Sequence, residues 1–120
     1  MLRQGFGRII NVSSQAGFVA LPGESVYCMT KAAIIHLTKC LAVEWGAHGV
    51  TVNAIAPGYI DTEMVRAVPA NVLEKIVARI PVGRLGKADE IARGVAFLVD
   101  ENAGFVTGST LSINGGQHMY

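Results

Sequence analysis

The feature that most constrains the fold is a long stretch without proline or glycine between two short apolar runs. Residues 25–45 contain neither helix breaker, are rich in good helix formers and are followed by Gly46 and Gly49, which predicts one long helix. Residues 8–12 and 50–56 are short, apolar and rich in β-branched side chains, as expected of strands buried on both faces. A strand, a helix and a second strand in this order favour a right-handed parallel crossover. The sequence therefore predicts an α/β fold with a parallel sheet.

The rest of the chain continues the alternation of helices and strands. Between Pro69 and Pro81, apolar residues recur at helical spacing, which predicts a short amphipathic helix that covers a cleft. A further helix is expected over residues 88–100 and a last strand over residues 109–113. We therefore expect about three strands with flanking helices, in a single domain over residues 1–120.

Composition narrows the class of partner. The 120 residues are 51% hydrophobic and carry a net charge of +1 with no basic run, which indicates neither a nucleic-acid nor a membrane surface. No run approaches the roughly 18 uninterrupted apolar residues of a membrane span, and the start does not resemble a signal peptide. We expect a soluble, cytoplasmic protein that acts on a small molecule. The helix over residues 25–45 is apolar over more surface than one sheet covers, which favours a homo-oligomer.

The cysteines and histidines do not form a recognisable site. Cys28 and Cys40 lie on the same expected helix, about 18 Å apart along its axis. That separation is too large for a disulfide, and free thiols fit a reducing compartment. The three histidines have no spacing typical of metal ligands, so we expect no metal site.

The candidate chemistry lies at the carboxyl ends of the strands, where parallel α/β sheets bind their ligands. Ser14 follows the first strand, and Pro57-Gly58 ends the second. Tyr27 begins the long helix, and Lys31 projects from the same helical face one turn later. These residue types suit carbonyl reduction, because a phenol can protonate the developing alkoxide while a hydroxyl holds the substrate oxygen. The lysine ammonium and the helix N-terminus both stabilise a phenolate.

The spacing of these three residues is only moderately specific by itself. A given Ser-x12-Tyr-x3-Lys pattern arises by chance in a chain of this length at roughly 1%. Its specificity rises because Ser14 lies at a strand end, while Tyr27 and Lys31 start a helix. Ser13 is interpreted as structural, since the spacing to Tyr27 selects its neighbour.

These motifs make the sequence similar to the short-chain dehydrogenase/reductases, whose catalytic half runs from an Asn-x-Ser-Ser strand end through Tyr-x3-Lys to a Pro-Gly turn. The resemblance covers essentially the whole chain and implies the carboxy-terminal half of a Rossmann-type doubly wound parallel sheet. It implies that Ser14 binds the substrate oxygen, Tyr27 is the catalytic acid and Lys31 binds the nicotinamide ribose beside Tyr27. The residues that match the family's nicotinamide-binding segment are Pro57, Gly58, Ile60 and Thr62.

Within that family, residues 57–65, 80–86 and 112–119 look most like acetoacetyl-CoA reductases, and 3-oxoacyl-carrier-protein reductases are close behind. The resemblance implies that NADP(H), in preference to NAD(H), is used to reduce a 3-oxoacyl thioester to the 3-hydroxyacyl thioester. It also implies a homo-oligomer, since the intact family forms tetramers. Tyr59, Gly23 and Glu24 would contact the substrate, although an ordinary surface loop around a turn glycine is the alternative.

A glycine-rich dinucleotide fingerprint is not found in this sequence. Gly5-Phe6-Gly7 does not match it, because these glycines precede a strand instead of following one. We therefore expect that the amino-terminal, dinucleotide-binding half is absent and that the first strand has an exposed edge. The alternative hypothesis is a catalytically silent fragment that acts only through self-association or by packing on an intact homologue.

Overall fold

The computed structural model describes all 120 residues and contains one parallel sheet of three strands. The strands are β1 (Gly7–Val12), β2 (Val50–Pro57) and β3 (Thr110–Ile113). The helices are α1 (Ser25–Trp45), α2 (Glu63–Arg66), α3 (Ala70–Ala78) and α4 (Ala88–Val99). The predicted α/β class is confirmed, and each predicted strand and helix is present. Only α2 was not expected.

The strand register brings all three carboxyl ends to one edge of the sheet. The order is β1-β2-β3, with both pairs parallel. Val12 at the end of β1 lies opposite Ile55, and Ile113 at the end of β3 lies opposite Pro57. The residues that follow the three strands are therefore neighbours in space, which is the condition for a shared site.

The core lies around the central strand. In β2 every residue from Val50 to Ala56 is buried, because β1 and β3 flank this strand and α1 packs across it. From α1 the buried residues are Ile35, Thr38 and Ala42. The Thr38 hydroxyl accepts a hydrogen bond from the Asn11 side chain at 3.0 Å and donates one to the Ile34 carbonyl at 2.8 Å. These two hydrogen bonds satisfy the Thr38 hydroxyl, which is buried between α1 and β1, and give the Asn11 side chain a partner.

The prediction that the first strand is buried on both faces is wrong. Of β1 only Gly7 is buried, and the Val12 residue is 55% exposed. The physical reason is that β1 is an edge strand, so its outer edge is open to solvent although α1 and α4 both contact it. The exposed edge that the sequence predicts is therefore present.

The apolar character of α1 has two structural consequences. The segment Ser25–His48 is long and apolar enough to cross a membrane by length and composition alone. One such helix is weak evidence of a membrane span. Only 17% of its most apolar window is buried, because α1 packs on the sheet with one side alone. Its opposite side is an apolar stripe of exposed residues spaced three or four positions apart. We call this side the α1 stripe: Val26, Met29, Ala33, Leu37, Cys40 and Val43. Cys28 and Cys40 are both free thiols.

Candidate active site

A cleft of about 490 Å³ opens at the carboxyl edge of the sheet, between the turn after β1, the start of α1 and the segment around α2. Seven residues singled out from the sequence line it: Ser14, Glu24, Tyr27, Gly58, Tyr59, Ile60 and Thr62. Three others lie outside the lining, namely Gly23, Lys31 and Pro57. The structure therefore brings together most of the residues that the motifs selected.

Ser14 is held by the turn that it starts. It precedes the single helical turn Gln15–Gly17, and its Oγ accepts a hydrogen bond from the Ala16 N–H at 3.1 Å. Because this bond uses an Oγ lone pair, the hydroxyl proton stays available for a ligand in the cleft. The neighbouring Ser13 is 3% exposed, and its hydroxyl donates to the Lys31 carbonyl at 2.8 Å. Ser13 thus joins the end of β1 to α1, in line with its structural interpretation.

The first two turns of α1 place Tyr27 and Lys31 beside each other. Tyr27 is the third residue of the helix and is 46% exposed at the cleft. The Lys31 Nζ lies 5.7 Å from the centre of the Tyr27 ring and donates a hydrogen bond to the Val12 carbonyl at 3.2 Å. The structure thus places the Lys31 ammonium beside the Tyr27 ring, within the first two turns of α1.

The segment after β2 forms the opposite wall of the cleft. The Gly58 N–H donates to the Ile113 carbonyl at 2.9 Å, and a Cβ at Gly58 would lie 2.7 Å from the Asn114 Cβ. Only glycine therefore fits without a shift of the chain. The Gly86 N–H donates to the Tyr59 carbonyl at 3.0 Å, which fixes the next residues of the wall.

Ile60 and Thr62 present polar groups along the same wall. The Ile60 N–H and C=O take no part in any hydrogen bond of the chain, although its neighbours Tyr59 and Asp61 both bond to Gly86. The Thr62 Oγ accepts from the Val65 N–H at 3.4 Å and starts α2. A free donor and a free acceptor on one residue match the needs of a carboxamide group.

Two ion pairs support this wall from outside. Arg66 donates to the Asp61 Oδ1 at 2.6 Å, and this hydrogen bond lowers the pKa of Asp61. Arg84 forms a two-point contact with Glu90 at 2.9 and 2.7 Å, and Glu90 also accepts from the Lys87 N–H at 2.8 Å. The Arg84 hydrogen bond is the main reason why the pKa of Glu90 falls from 4.5 to about 2. Glu90 thereby ties the loop that contains Gly86 to α4.

The helix that was expected to cover a cleft, α3, contributes no residue to the lining, and α2 lies there instead. Sequence reasoning also did not single out all of the lining residues. Gln15, Ala16, Leu21, Met64 and Val65 also line the cleft. Gln15 follows Ser14 directly, which is the one signal that could have found it. No group of three or more His, Cys, Asp or Glu side chains could hold a metal ion.

Comparison with known proteins decides the family. A family model described as Enoyl-(Acyl carrier protein) reductase matches residues 1–118. Acetoacetyl-CoA reductase of Rhizobium meliloti is 57% identical over 120 residues, which cover 99% of this chain and 50% of that protein. The chain belongs to the short-chain dehydrogenase/reductase family. This confirms the resemblance that Ser14, Tyr27 and Lys31 indicated.

Further members of the family agree in sequence and in fold. The 3-oxoacyl-[acyl-carrier-protein] reductase FabG of Haemophilus influenzae is 44% identical over 119 residues, which cover 99% of this chain and 49% of that protein. The crystal structure of a 3-oxoacyl-[acyl-carrier protein] reductase from Brucella melitensis superimposes with a TM-score of 0.95 at 40% identity, covering 100% of this chain and 45% of that one. The chain thus spans about half the length of the curated relatives it matches.

A second solved structure in the family carries a nucleotide. It is a Beutenbergia cavernae protein described as an NAD(P)-dependent gluconate 5-dehydrogenase with NADP bound at low occupancy, with a TM-score of 0.92 at 37% identity. The match covers 98% of this chain and 48% of that one. The predicted Rossmann-type architecture is confirmed by these structural neighbours.

Proposed function

We propose that this chain is the catalytic half of a reductase that uses NADPH to convert a 3-oxoacyl thioester, such as acetoacetyl-CoA, into the 3-hydroxyacyl thioester. The observation that carries the proposal is that Ser14 and Tyr27 line one cleft with the Lys31 ammonium beside the Tyr27 ring. The names of the Rhizobium meliloti and Haemophilus influenzae relatives support the same substrate class.

The chemistry assigns one task to each of the three residues. The Ser14 hydroxyl donates a hydrogen bond to the 3-oxo oxygen and so polarises the carbonyl. A nicotinamide held by Lys31, Ile60 and Thr62 would supply the hydride to the carbonyl carbon. Tyr27 gives its phenolic proton to the oxygen, which becomes the 3-hydroxyl group, and the Lys31 ammonium stabilises the phenolate that is left. The proton is then restored to Tyr27 from solvent.

The residues present fit a nicotinamide nucleotide. The Lys31 Nζ uses one of its three N–H donors on the Val12 carbonyl, which leaves two that would bind ribose hydroxyls beside Tyr27. The free N–H and C=O of Ile60, with the Thr62 hydroxyl, would hold the carboxamide. Pro57 and Gly58 would lie along the ring. We favour NADP(H) over NAD(H) because the Beutenbergia cavernae neighbour carries NADP.

The substrate would occupy the outer part of the cleft. Leu21, Met64 and Val65 give it apolar walls that suit a short acyl chain, and Tyr59 and Glu24 lie at the same lining. Gly23 lies outside the lining and has φ +82°, which supports the turn interpretation for this residue.

We further propose that residues 1–120 form one partial domain that completes its sheet with a nucleotide-binding half, in a cytoplasmic homo-oligomer. The uncovered edge of β1 supports the first part, because a further strand would pair there. The α1 stripe supports the second, since the Val43 residue alone is 86% exposed.

The test is an acetoacetyl-CoA reduction assay on the chain joined to an upstream nucleotide-binding half. Tyr27→Phe removes the proton donor while retaining the ring, so we expect the rate to fall at least about 100-fold. An unchanged rate would show that the catalytic assignment is wrong. Ala92→Ser, an exposed change on α4 away from the cleft, is the control and leaves the rate unchanged.

The second candidate function is a silent fragment that acts by self-association or by packing on an intact homologue. The observation in its favour is that one chain exposes both the β1 edge and the α1 stripe. NADPH titration of the 120-residue chain discriminates the two. Saturable binding at micromolar concentration excludes the silent fragment, whereas oligomers without such binding support it.

A further inference from the structure

The carboxy-terminal segment folds back onto the turn that carries Ser14. The Phe18 ring, at the end of that turn, stacks on the Tyr120 ring with 4.3 Å between centres and 19° between planes. The His118 ring lies 5.5 Å from both. The carboxy-terminal segment and the Ser14 turn are therefore in contact through stacked aromatic rings.

A polar contact joins the same two segments. The Gln15 Nε2 donates a hydrogen bond to the Gln117 Oε1 at 3.3 Å. Gln15 is only 8% exposed, and its Oε1 has no partner. Gln117 is thus the only hydrogen-bond partner of the Gln15 side-chain amide, which is buried next to Ser14.

The carboxy-terminal segment is itself held by hydrogen bonds to β3 and to Asn114, so it can fix the position of the Ser14 turn. The Tyr120 hydroxyl donates to the Thr110 carbonyl at 2.8 Å and accepts from the Ser112 hydroxyl at 3.2 Å. The Asn114 side chain donates to the His118 carbonyl at 3.0 Å. The contacts thus run from β3 through the carboxy-terminal segment to the turn.

On the other side, the Ser14 turn is tied to the sheet by the Ser13 N–H, which donates to the Ile55 carbonyl at 2.8 Å. The turn itself is a single helical turn, too short to be rigid alone. We propose that Gln117 and Tyr120 are positioning residues for Ser14, which hold its hydroxyl at the angle that the substrate oxygen needs. The kinetic part of this inference rests on the proposed function, whereas its structural part does not.

The structural part is tested by amide hydrogen exchange on the 120-residue chain. Gln117→Leu and Tyr120→Ala are each expected to speed exchange of the Ala16 N–H, which donates to the Ser14 Oγ, by about tenfold. Exchange at Val52 and Ala54 in the core should not change. The control is Met119→Ala, because this side chain is exposed and makes no hydrogen bond or ring contact. If the Ala16 N–H exchanges at the same rate in all variants, the proposal is wrong.

The kinetic part is tested on the chain joined to an upstream nucleotide-binding half. Gln117→Leu should lower kcat for acetoacetyl-CoA about tenfold and leave the KM for NADPH unchanged. Tyr120→Phe keeps the ring stack and should retain more of the rate than Tyr120→Ala. In a Ser14→Ala background, Gln117→Leu should have no further effect on kcat, because the group it positions is gone.

An additional loss in that background overturns the positioning role and shows a general structural one. Absence of acetoacetyl-CoA turnover in the parent overturns the proposed function. The exchange result would still decide whether the carboxy-terminal segment holds the Ser14 turn.

Discussion

At the residue scale, two adjacent serines differ in what their hydroxyls contact. The Ser13 hydroxyl is buried and bonded to the Lys31 carbonyl, whereas Ser14 lines the cleft and only accepts from the Ala16 N–H. Since both residues follow the same strand, their different environments come from the alternation of side chains at the strand end. The Ser13 hydroxyl therefore contributes to packing, whereas the Ser14 hydroxyl can reach a ligand in the cleft.

This separation predicts opposite consequences for the two alanine variants. Ser13→Ala should lower the free energy of unfolding by about 1 kcal/mol, the value of one buried hydrogen bond, and leave kcat within a few-fold. Ser14→Ala should lower kcat about 100-fold, since it removes a donor to the reacting oxygen. Urea unfolding and acetoacetyl-CoA reduction, the latter with the upstream half joined, measure the two effects. Equal loss of kcat in both variants would contradict the division.

A second prediction at this scale concerns glycine at the wall of the cleft. In Gly58→Ala the new Cβ would meet the Asn114 Cβ at 2.7 Å and its Cα at 3.0 Å, so we expect about 1–3 kcal/mol of destabilisation. Gly46→Ala is the matched control, because a Cβ there meets nothing within 4 Å and its φ of −57° suits alanine. The control should be neutral or slightly stabilising. Thermal unfolding of both variants is the measurement, and equal melting temperatures would contradict the steric argument.

At the element scale, the helices and strands that periodicity predicts are the ones that form, and the exceptions have local causes. Helix α2 was not expected, because it is only four residues long and so too short to show a helical period in the sequence. The burial of β1 was overestimated, because an apolar run does not say which strands flank it. Gln15 and Met64 were missed for a similar reason: each lies in a single short helical turn at the cleft, which residue spacing does not predict.

The start of α4 gives a prediction about pH. The pKa of Glu90 is held at about 2 by Arg84 and the Lys87 N–H, below its ordinary 4.5. A carboxyl with a lowered pKa stabilises the fold above its unfolded pKa, and this contribution is lost as the pH falls through the folded value. Glu90→Gln should therefore melt below wild type at pH 7, and the gap should close between pH 4.5 and about 2. Glu74→Gln, at an exposed position on α3 without an ion pair, is the control. A gap that does not depend on pH would show that the ion pair is not its cause.

At the scale of the whole molecule, two uncovered surfaces distinguish this chain from a closed α/β domain. The β1 edge lacks a neighbouring strand, and the α1 stripe faces solvent on the side away from the sheet. Both surfaces favour association, because an unpaired strand edge offers free backbone groups and a contiguous apolar patch is unfavourable in water. We propose that a further strand pairs with the first surface and that another subunit covers the second.

These surfaces predict that the 120-residue chain self-associates and that the α1 stripe carries part of the contact. Changing both Val26 and Val43 to lysine places charges at two residues that are 69% and 86% exposed, so the fold should persist while the oligomer weakens. Phe105→Lys is the matched control, because Phe105 is a fully exposed apolar residue outside the stripe. Sedimentation velocity should show a shift towards monomer for the double variant alone. An equal shift in the control would show that general surface hydrophobicity causes the association. An unchanged oligomer in the double variant would instead assign the contact to the β1 edge. That edge pairs through backbone groups, which side-chain charges on α1 do not reach.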